Sequence, residues 1–400
     1  MPSIATALSM DECVALALAR SPAARAAAFD VDAAAARLRA ARAAYAPRLS
    51  ARGEYGRSAG FDEAVTNGGS TAALLTVDTT LFDGGLRDAQ LAAARARLSS
   101  ANALQQQRRA DVAFATRTAY LAAVAADAEA AIHHHTLGTL RDYTALLERQ
   151  EQVALVTRND VLRATLAADS SDAAERAATA DRDAAVSELR TLIGADLTPE
   201  ALVEPPAVHF TPADSAAIEA SPLIVDAQAS AAAARRDAEA VRSEWRTHLD
   251  LTASSGALGV IPDTTFRENG GAQFLFGLSV PLYDGGATAA RVAAAAAAAE
   301  SAQALLQEAR QALTAALNRT NIETHHAATD LDRWQRSVPR AAESFVLMRA
   351  RYFGGGNVRL LEVLDALSQH VDAQLAVARA QLAYRMGVVK QQQLIGEVTP

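Results

Sequence analysis

Leu81-Phe82-Asp83-Gly84-Gly85 returns as Leu282-Tyr283-Asp284-Gly285-Gly286, offset by 201 residues in a chain of 400. Ser21-Pro22 pairs in the same way with Ser221-Pro222, Asp160-Val161-Leu162 with Glu362-Val363-Leu364, and Ile193-Gly194 with Ile395-Gly396. A period near 200 residues is far too long for a solenoid unit, so the chain reads as a duplicated half-molecule. Residues 1–200 form the first structural repeat and 201–400 the second, and the two interleave into one unit.

Within each half the hydrophobic period changes from helix to strand and back. Asp11 to Ala46 is Ala-, Leu- and Arg-rich and helical, stopping at Pro47. Leu49, Ala51, Gly53 and Tyr55 then alternate with Ser50, Arg52, Glu54 and Gly56, which is a strand. After a Gly-, Asn- and Asp-rich loop to about Ser70, a second strand runs to Phe82, giving a strand pair over 48–82. One face of it carries Ala73, Leu75, Val77, Thr79 and Leu81, and the other Leu74, Thr76, Asp78 and Thr80. The second pair, 248–282, is sharper: Phe274, Phe276, Leu278, Val280 and Leu282 make one wholly apolar face. A hairpin on a soluble core would alternate in this way. So would a membrane-barrel strand, apolar toward lipid and polar toward a lumen, at the ten or so residues such strands need.

After each Asp-Gly-Gly the period becomes 3.5. Ala89, Ala93, Ala96, Ser100 and Ala103 keep heptad spacing, and Ala290, Ala294, Ala297, Ser301 and Ala304 repeat it, a coiled-coil seam of small residues. Asp83 and Asp284 are suitable N-caps, and Gly84, Gly85, Gly285 and Gly286 let the chain turn out of the strand. The proline-free run Gly84 to Val153 holds 70 residues, roughly 105 Å of helix. Gly285 to Phe353 holds 69 and contains only Pro339, where a kink is expected. The arms turn near Val153-Ala154-Leu155 and Gly354-Gly355-Gly356 and return to Gly194 and Gly396, so helical hairpins span 84–195 and 285–396. Helices over 11–46 and 212–245, stacked on the short return arms, would match the long ones in length. The Pro-containing stretch Asp196 to Thr211, with Pro199, Pro205 and Pro206, connects the halves.

Composition narrows the function classes. Aromatics at 5% are too few for several aromatic-centred cores, and a net charge of −8 with one lysine, Lys390, gives no basic face for nucleic acid. Cys13 is the single cysteine, so no intramolecular disulfide forms, and no lipoprotein box precedes it. No apolar run reaches 18 residues, and Met1 to Met10 lacks the basic and apolar regions of a secretory signal. His133-His134-His135 and His325-His326 point about 100° apart residue by residue and do not converge on one ion, so neither a metal nor a cofactor is expected. No nucleophile–base pair, phosphate loop or zinc spacing makes a case for an enzyme. Four strands cannot close a membrane barrel, which needs about eight, so spanning strands require several chains to pool them.

The strand–LFDGG–long helix pattern at Leu81 to Gly85 and its repeat at Leu282 to Gly286, the tip and return from Val153 to Ala164, and Leu361-Glu362-Val363-Leu364-Asp365-Ala366 together resemble the TolC-like outer-membrane efflux channels, over nearly the whole chain. The resemblance implies a mainly α, mixed fold. A long antiparallel coiled-coil α-barrel would run through the periplasm, and four strands per chain would enter a homotrimeric, twelve-stranded barrel in outer-membrane lipid. It implies a passive exit conduit of a tripartite efflux or type I secretion system, docking a periplasmic adaptor (membrane fusion) protein fed by an inner-membrane transporter. The competing reading is a soluble elongated coiled-coil scaffold, which the missing signal would favour.

The same resemblance assigns residues. Glu362 and Asp365, on one face of a returning helix by their i, i+3 spacing, match acids that ring the closed periplasmic aperture. Six carboxylates from three chains would attract cations there. Acids in a first helical turn also complement the dipole with no further role. Asp160 matches a position that bonds across helices to hold the gate shut, with Tyr352 as the expected partner. Val153, Ala154 and Leu155, with Ala where the family has Gly, and Gly354, Gly355 and Gly356 match the adaptor-docking tips.

Overall fold

The computed structural model describes residues 8–60, 62, 68–198, 202–260, 269–355 and 357–398; Pro199, Gly356 and part of the Gly-rich loop before Ser70 lie outside the described residues. The order is α1 (Met10–Arg20), α2 (Pro22–Ala43), β1 (Arg48–Arg57), β2 (Gly69–Phe82), α3 (Leu86–Gln152) and α4 (Arg158–Ile193). The second half follows with α5 (Ser215–Ala220), α6 (Pro222–Ser243), β3 (His248–Val260), β4 (Gly270–Ser279), α7 (Ala287–Phe353) and α8 (Leu360–Ile395). The duplication holds in length: α3 and α7 are 67 residues each, α4 and α8 are 36, and α2 and α6 are 22.

Three local expectations are corrected. The helix expected over 11–46 breaks at Ser21, and the one from Pro212 begins only at Ser215, capped by Asp214, then breaks at Ser221. The cause is proline at the next residue, which pushes its predecessor to extended backbone (Ser21 ψ 121°, Ser221 ψ 135°) and starts a new helix at its own first position. β4 ends at Ser279 rather than at 282, because Pro281 has no N–H for the ladder; Val280 and Leu282 continue past the strand, exposed. α7 contains Pro339 within its span, as the sequence places it.

Two compact units divide the chain across its halves. The first comprises Met1–Ala27, Gln105–Pro222 and Arg310–Pro400, the second Ala28–Leu104 and Leu223–Ala309. In the first unit, fully buried Tyr120 donates to the carbonyls of Leu8 (2.9 Å) or Val203 (2.7 Å) and accepts from the Val203 N–H (2.9 Å). It thereby ties α3 to the N-terminal segment and to the connector, over a core that includes Cys13, Ala17, Leu189 and Ile193. Arg20 donates to the carbonyls of Ile193 and Gly194, and Ser221 to that of Leu394, closing the ends of α4 and α8. A second core near the hairpin ends gathers Tyr143, Phe345, Val363, Leu367 and Val371, with Tyr352 and Phe353 against it.

The second unit holds one antiparallel sheet in the order β1-β2-β3-β4. Register aligns Leu49, Val77, Ala253 and Phe274 in one row, with Leu251 and Phe276 paired on the same face. The neighbouring row is Arg48, Asp78, Thr252 and Leu275, on the opposite face. Thr80 donates to Asp250 and Thr252 to Asp78, each at 2.7 Å, so this face is a hydrogen-bonded polar surface. The apolar face is bare: Phe274, Phe276 and Leu278 are 72%, 66% and 67% exposed.

The two small-residue seams have different fates. Ala89, Ala93 and Ala103 are buried, and Ser100 donates to Asp226 on α6 at 2.5 Å. Ala290, Ala294, Ala297, Ser301 and Ala304 are all exposed; the buried positions of that stretch are Thr288, Ala299 and Leu306 instead.

Candidate functional site

At both strand-to-helix turns a short acidic side chain organises the backbone. Asp83 accepts from the N–H of Gly85 (3.1 Å) and of Arg87 (3.0 Å), and from Arg87 Nε (2.7 Å). Asp284 accepts from the N–H of Gly286 (3.0 Å) and Thr288 (2.6 Å). The glycines between cap and helix have positive φ, Gly84 at 64° and Gly285 at 71° among them. At Gly84 a Cβ would also fall 2.5 Å from Cβ of Arg246, whose guanidinium donates to the Gly84 carbonyl.

The first hairpin tip is a Schellman turn. The Leu155 N–H donates to the Gln150 carbonyl and the Ala154 N–H to that of Glu151, both at 2.9 Å. Ala154 occupies the left-handed position at φ 57°, the one non-glycine residue there among the described residues. Alanine therefore reproduces the turn that glycine makes easily, at a steric cost of about 1 kcal/mol. Val153 and Leu155 flank it and are exposed. At the second tip Gly355 is left-handed (φ 76°) and the Gly354 N–H donates to Ala350.

Glu362 and Asp365 lie on the exposed face of α8, opposite buried Val363, Ala366 and Leu367. Arg359 stands at the N-cap without a side-chain cap bond, and its Nε reaches Glu362 at 3.2 Å. Asp365 accepts from Gln369 at 2.9 Å. That Arg359 partner was readable from its i, i+3 spacing but absent from the sequence expectation. Asp160 is spent locally in a capping box, accepting from the Thr157 N–H (3.2 Å) and Oγ1 (2.7 Å). The expected bond to Tyr352 is not formed: the Tyr352 hydroxyl is buried without a partner. The two are nonetheless neighbours. Burial, and secondarily the Asp160 charge, raise the Tyr352 pKa. His370 lies stacked on Phe345 at 6.5 Å, its pKa lowered by burial and then by His135. Of the other histidines, His134 pairs with Glu175 and His326 with Asp330.

Chemically, these features give an amphipathic sheet, an acidic exposed face beside a helical tip, and apolar residues at one tip. The family model for outer membrane efflux proteins matches this chain twice, over residues 13–195 and 215–397. Protein CyaE of Bordetella pertussis is 29% identical over 390 residues, which cover 92% of this chain and 79% of that protein. The outer membrane efflux protein BepC of Brucella suis biovar 1 is 23% identical over 350 residues, covering 85% and 75%. Among solved structures, the Campylobacter jejuni CmeC outer membrane channel matches with a TM-score of 0.85 at 15% identity, covering 98% of this chain and 86% of that one.

Proposed function

Since this chain belongs to the outer membrane efflux protein family and is an exit channel of the outer membrane, we propose that it works as a homotrimer gated at its helical tips. Family membership removes the soluble scaffold from consideration, and the family is one of transport channels, not of enzymes.

The observation that carries the trimer is the four-stranded sheet with a bare aromatic face and a polar reverse. Lipid tolerates no open sheet edge, so four strands must be completed by other copies. Three copies give twelve, within the range of membrane barrels. One further feature supports association. The α7 seam is exposed although its sequence equivalent on α3 is packed.

In the trimer, Glu362 and Asp365 of each copy would converge as a ring of acids at the periplasmic aperture. Val153, Ala154 and Leu155, with the second tip at Gly354 and Gly355, would meet a periplasmic adaptor that links the channel to an inner-membrane transporter. Asp160 and Tyr352 would stabilise the closed arrangement by packing and charge rather than by a mutual hydrogen bond. The channel itself supplies no energy. Mass determination of the detergent-solubilised protein tests the reading. Three chains of 41.8 kDa per particle are expected, and a stable monomer would overturn it.

A further inference from the structure

Where α3 leaves the strands, a pocket of about 310 Å³ opens between its first turn and the last turns of α6. Arg236, Arg242 and Arg246 line it, with Gly85, Asp88 and Glu239. Two of the arginines have partners: Arg236 pairs with Glu239 at 2.7 Å, and Arg246 donates to the Gly84 carbonyl at 2.6 Å. Asp88 is taken by the Tyr45 hydroxyl. Arg242 is exposed and makes no hydrogen bond or ion pair among the described residues.

Residues 33–48, on α2 and the turn to β1, carry Arg37, Arg39, Arg42 and Arg48 and no acid, in a chain whose net charge is −8. These arginines approach the helix-to-strand junction, which also carries Asp83, Asp88, Glu244 and Asp284. The level is also fixed. Arg246 stands three residues before Leu249, where the apolar face of β3 begins, and Gly85 three residues after Phe82, where β2 ends. At about 3.3 Å per residue three residues span at most about 10 Å, a few ångströms beyond one headgroup layer of roughly 5–7 Å, a gap that an arginine stem bridges. Tyr45, Trp245, Phe82 and Tyr283 also fall at helix-to-strand boundaries of the chain, where interfacial aromatics would be expected.

We propose that this pocket binds the phosphate of an anionic phospholipid headgroup in the leaflet on the helix side, with Arg242 as the free guanidinium and Arg236 and Arg246 beside it. Guanidinium forks suit phosphate oxygens, and three of them outnumber the two carboxylates of the lining. The inference rests on the membrane reading above and adds a lipid preference to it.

The test uses the intact channel with three probes: phosphatidylglycerol, neutral phosphatidylcholine and inorganic phosphate. Native mass spectrometry of particles from mixed-lipid nanodiscs should show phosphatidylglycerol retained in preference to phosphatidylcholine. Arg242→Gln should lower that preference about fivefold, and Arg236→Gln with Arg242→Gln further, with oligomer yield unchanged. Equal retention of both lipids, or an unaltered preference in Arg242→Gln, would overturn the proposal. Phosphate binding in detergent that is lost in Arg242→Gln, without any lipid preference, would assign the pocket to free anions and overturn the lipid. Flotation separates this from the parent reading: protein that floats equally with vesicles of either lipid keeps the channel and loses the site. Protein that floats with neither loses both.

Discussion

Two adjacent apolar residues of β4 should respond oppositely to the same substitution. Phe274 lies in the row Leu49, Val77, Ala253, Phe274, and is 72% exposed on the bare face. Leu275 lies in the row Arg48, Asp78, Thr252, Leu275, already charged and hydrogen-bonded. Its pairing partner Thr252 lies near the middle of β3, so both residues sit near mid-bilayer depth. Arginine facing lipid there costs about 2–4 kcal/mol per chain, and so roughly 6–12 kcal/mol for a ring of three. Per chain, that is a shift of about 30- to 1000-fold in the insertion equilibrium. Leu275→Arg would instead place a guanidinium on the Asp78 side and cost little. The assay is the yield of heat-modifiable oligomer in the outer-membrane fraction. Phe274→Arg should abolish it, while Leu275→Arg should stay close to wild type. Normal insertion of Phe274→Arg, or equal failure of both variants, would show that the alternation does not mark the lipid face.

The remaining predictions concern the helical ends. Ala154→Gly relieves the left-handed strain at φ 57° and should stabilise the first tip by about 0.5–1 kcal/mol, glycine's greater freedom offsetting part of the gain. Hydrogen exchange at the Ala154 and Leu155 amides should slow by about two- to fivefold; unchanged or faster exchange refutes the strain. Glu362→Ala with Asp365→Ala should raise single-channel conductance and reduce cation selectivity in planar bilayers. A double variant that conducts and selects as wild type does would remove these acids from the aperture.

Most of the architecture was legible because its signals are local. Period-two alternation at Leu49 to Tyr55 and Phe274 to Leu278 located the strands, and the Asp-Gly-Gly pairs located the helix starts to within a few residues. The breaks at Ser21 and Ser221 are not legible in the sequence, because a proline within an Ala-rich run permits either a first-turn position or a continuous reading. Extending β4 through Pro281 favoured hydrophobic pattern over hydrogen-bonding capacity. The capping box that occupies Asp160 is visible in Thr157-Arg158-Asn159-Asp160, a local role that the resemblance alone does not suggest. The arginine pocket was beyond reach for another reason: Gly85 and Asp88 meet Arg236 to Arg246 only through packing across some 150 residues of chain.

The unequal seams make mirrored positions differ in kind. A bulky side chain at Ala93, buried against its own chain, would disturb every molecule alike, however dilute the sample. In the proposed trimer the same change at Ala294, which is open in the lone chain, would act through mass action, harmless to a solitary copy and increasingly felt as copies meet. Duplication supplied two identical stripes; one became a matter of folding and the other a matter of concentration.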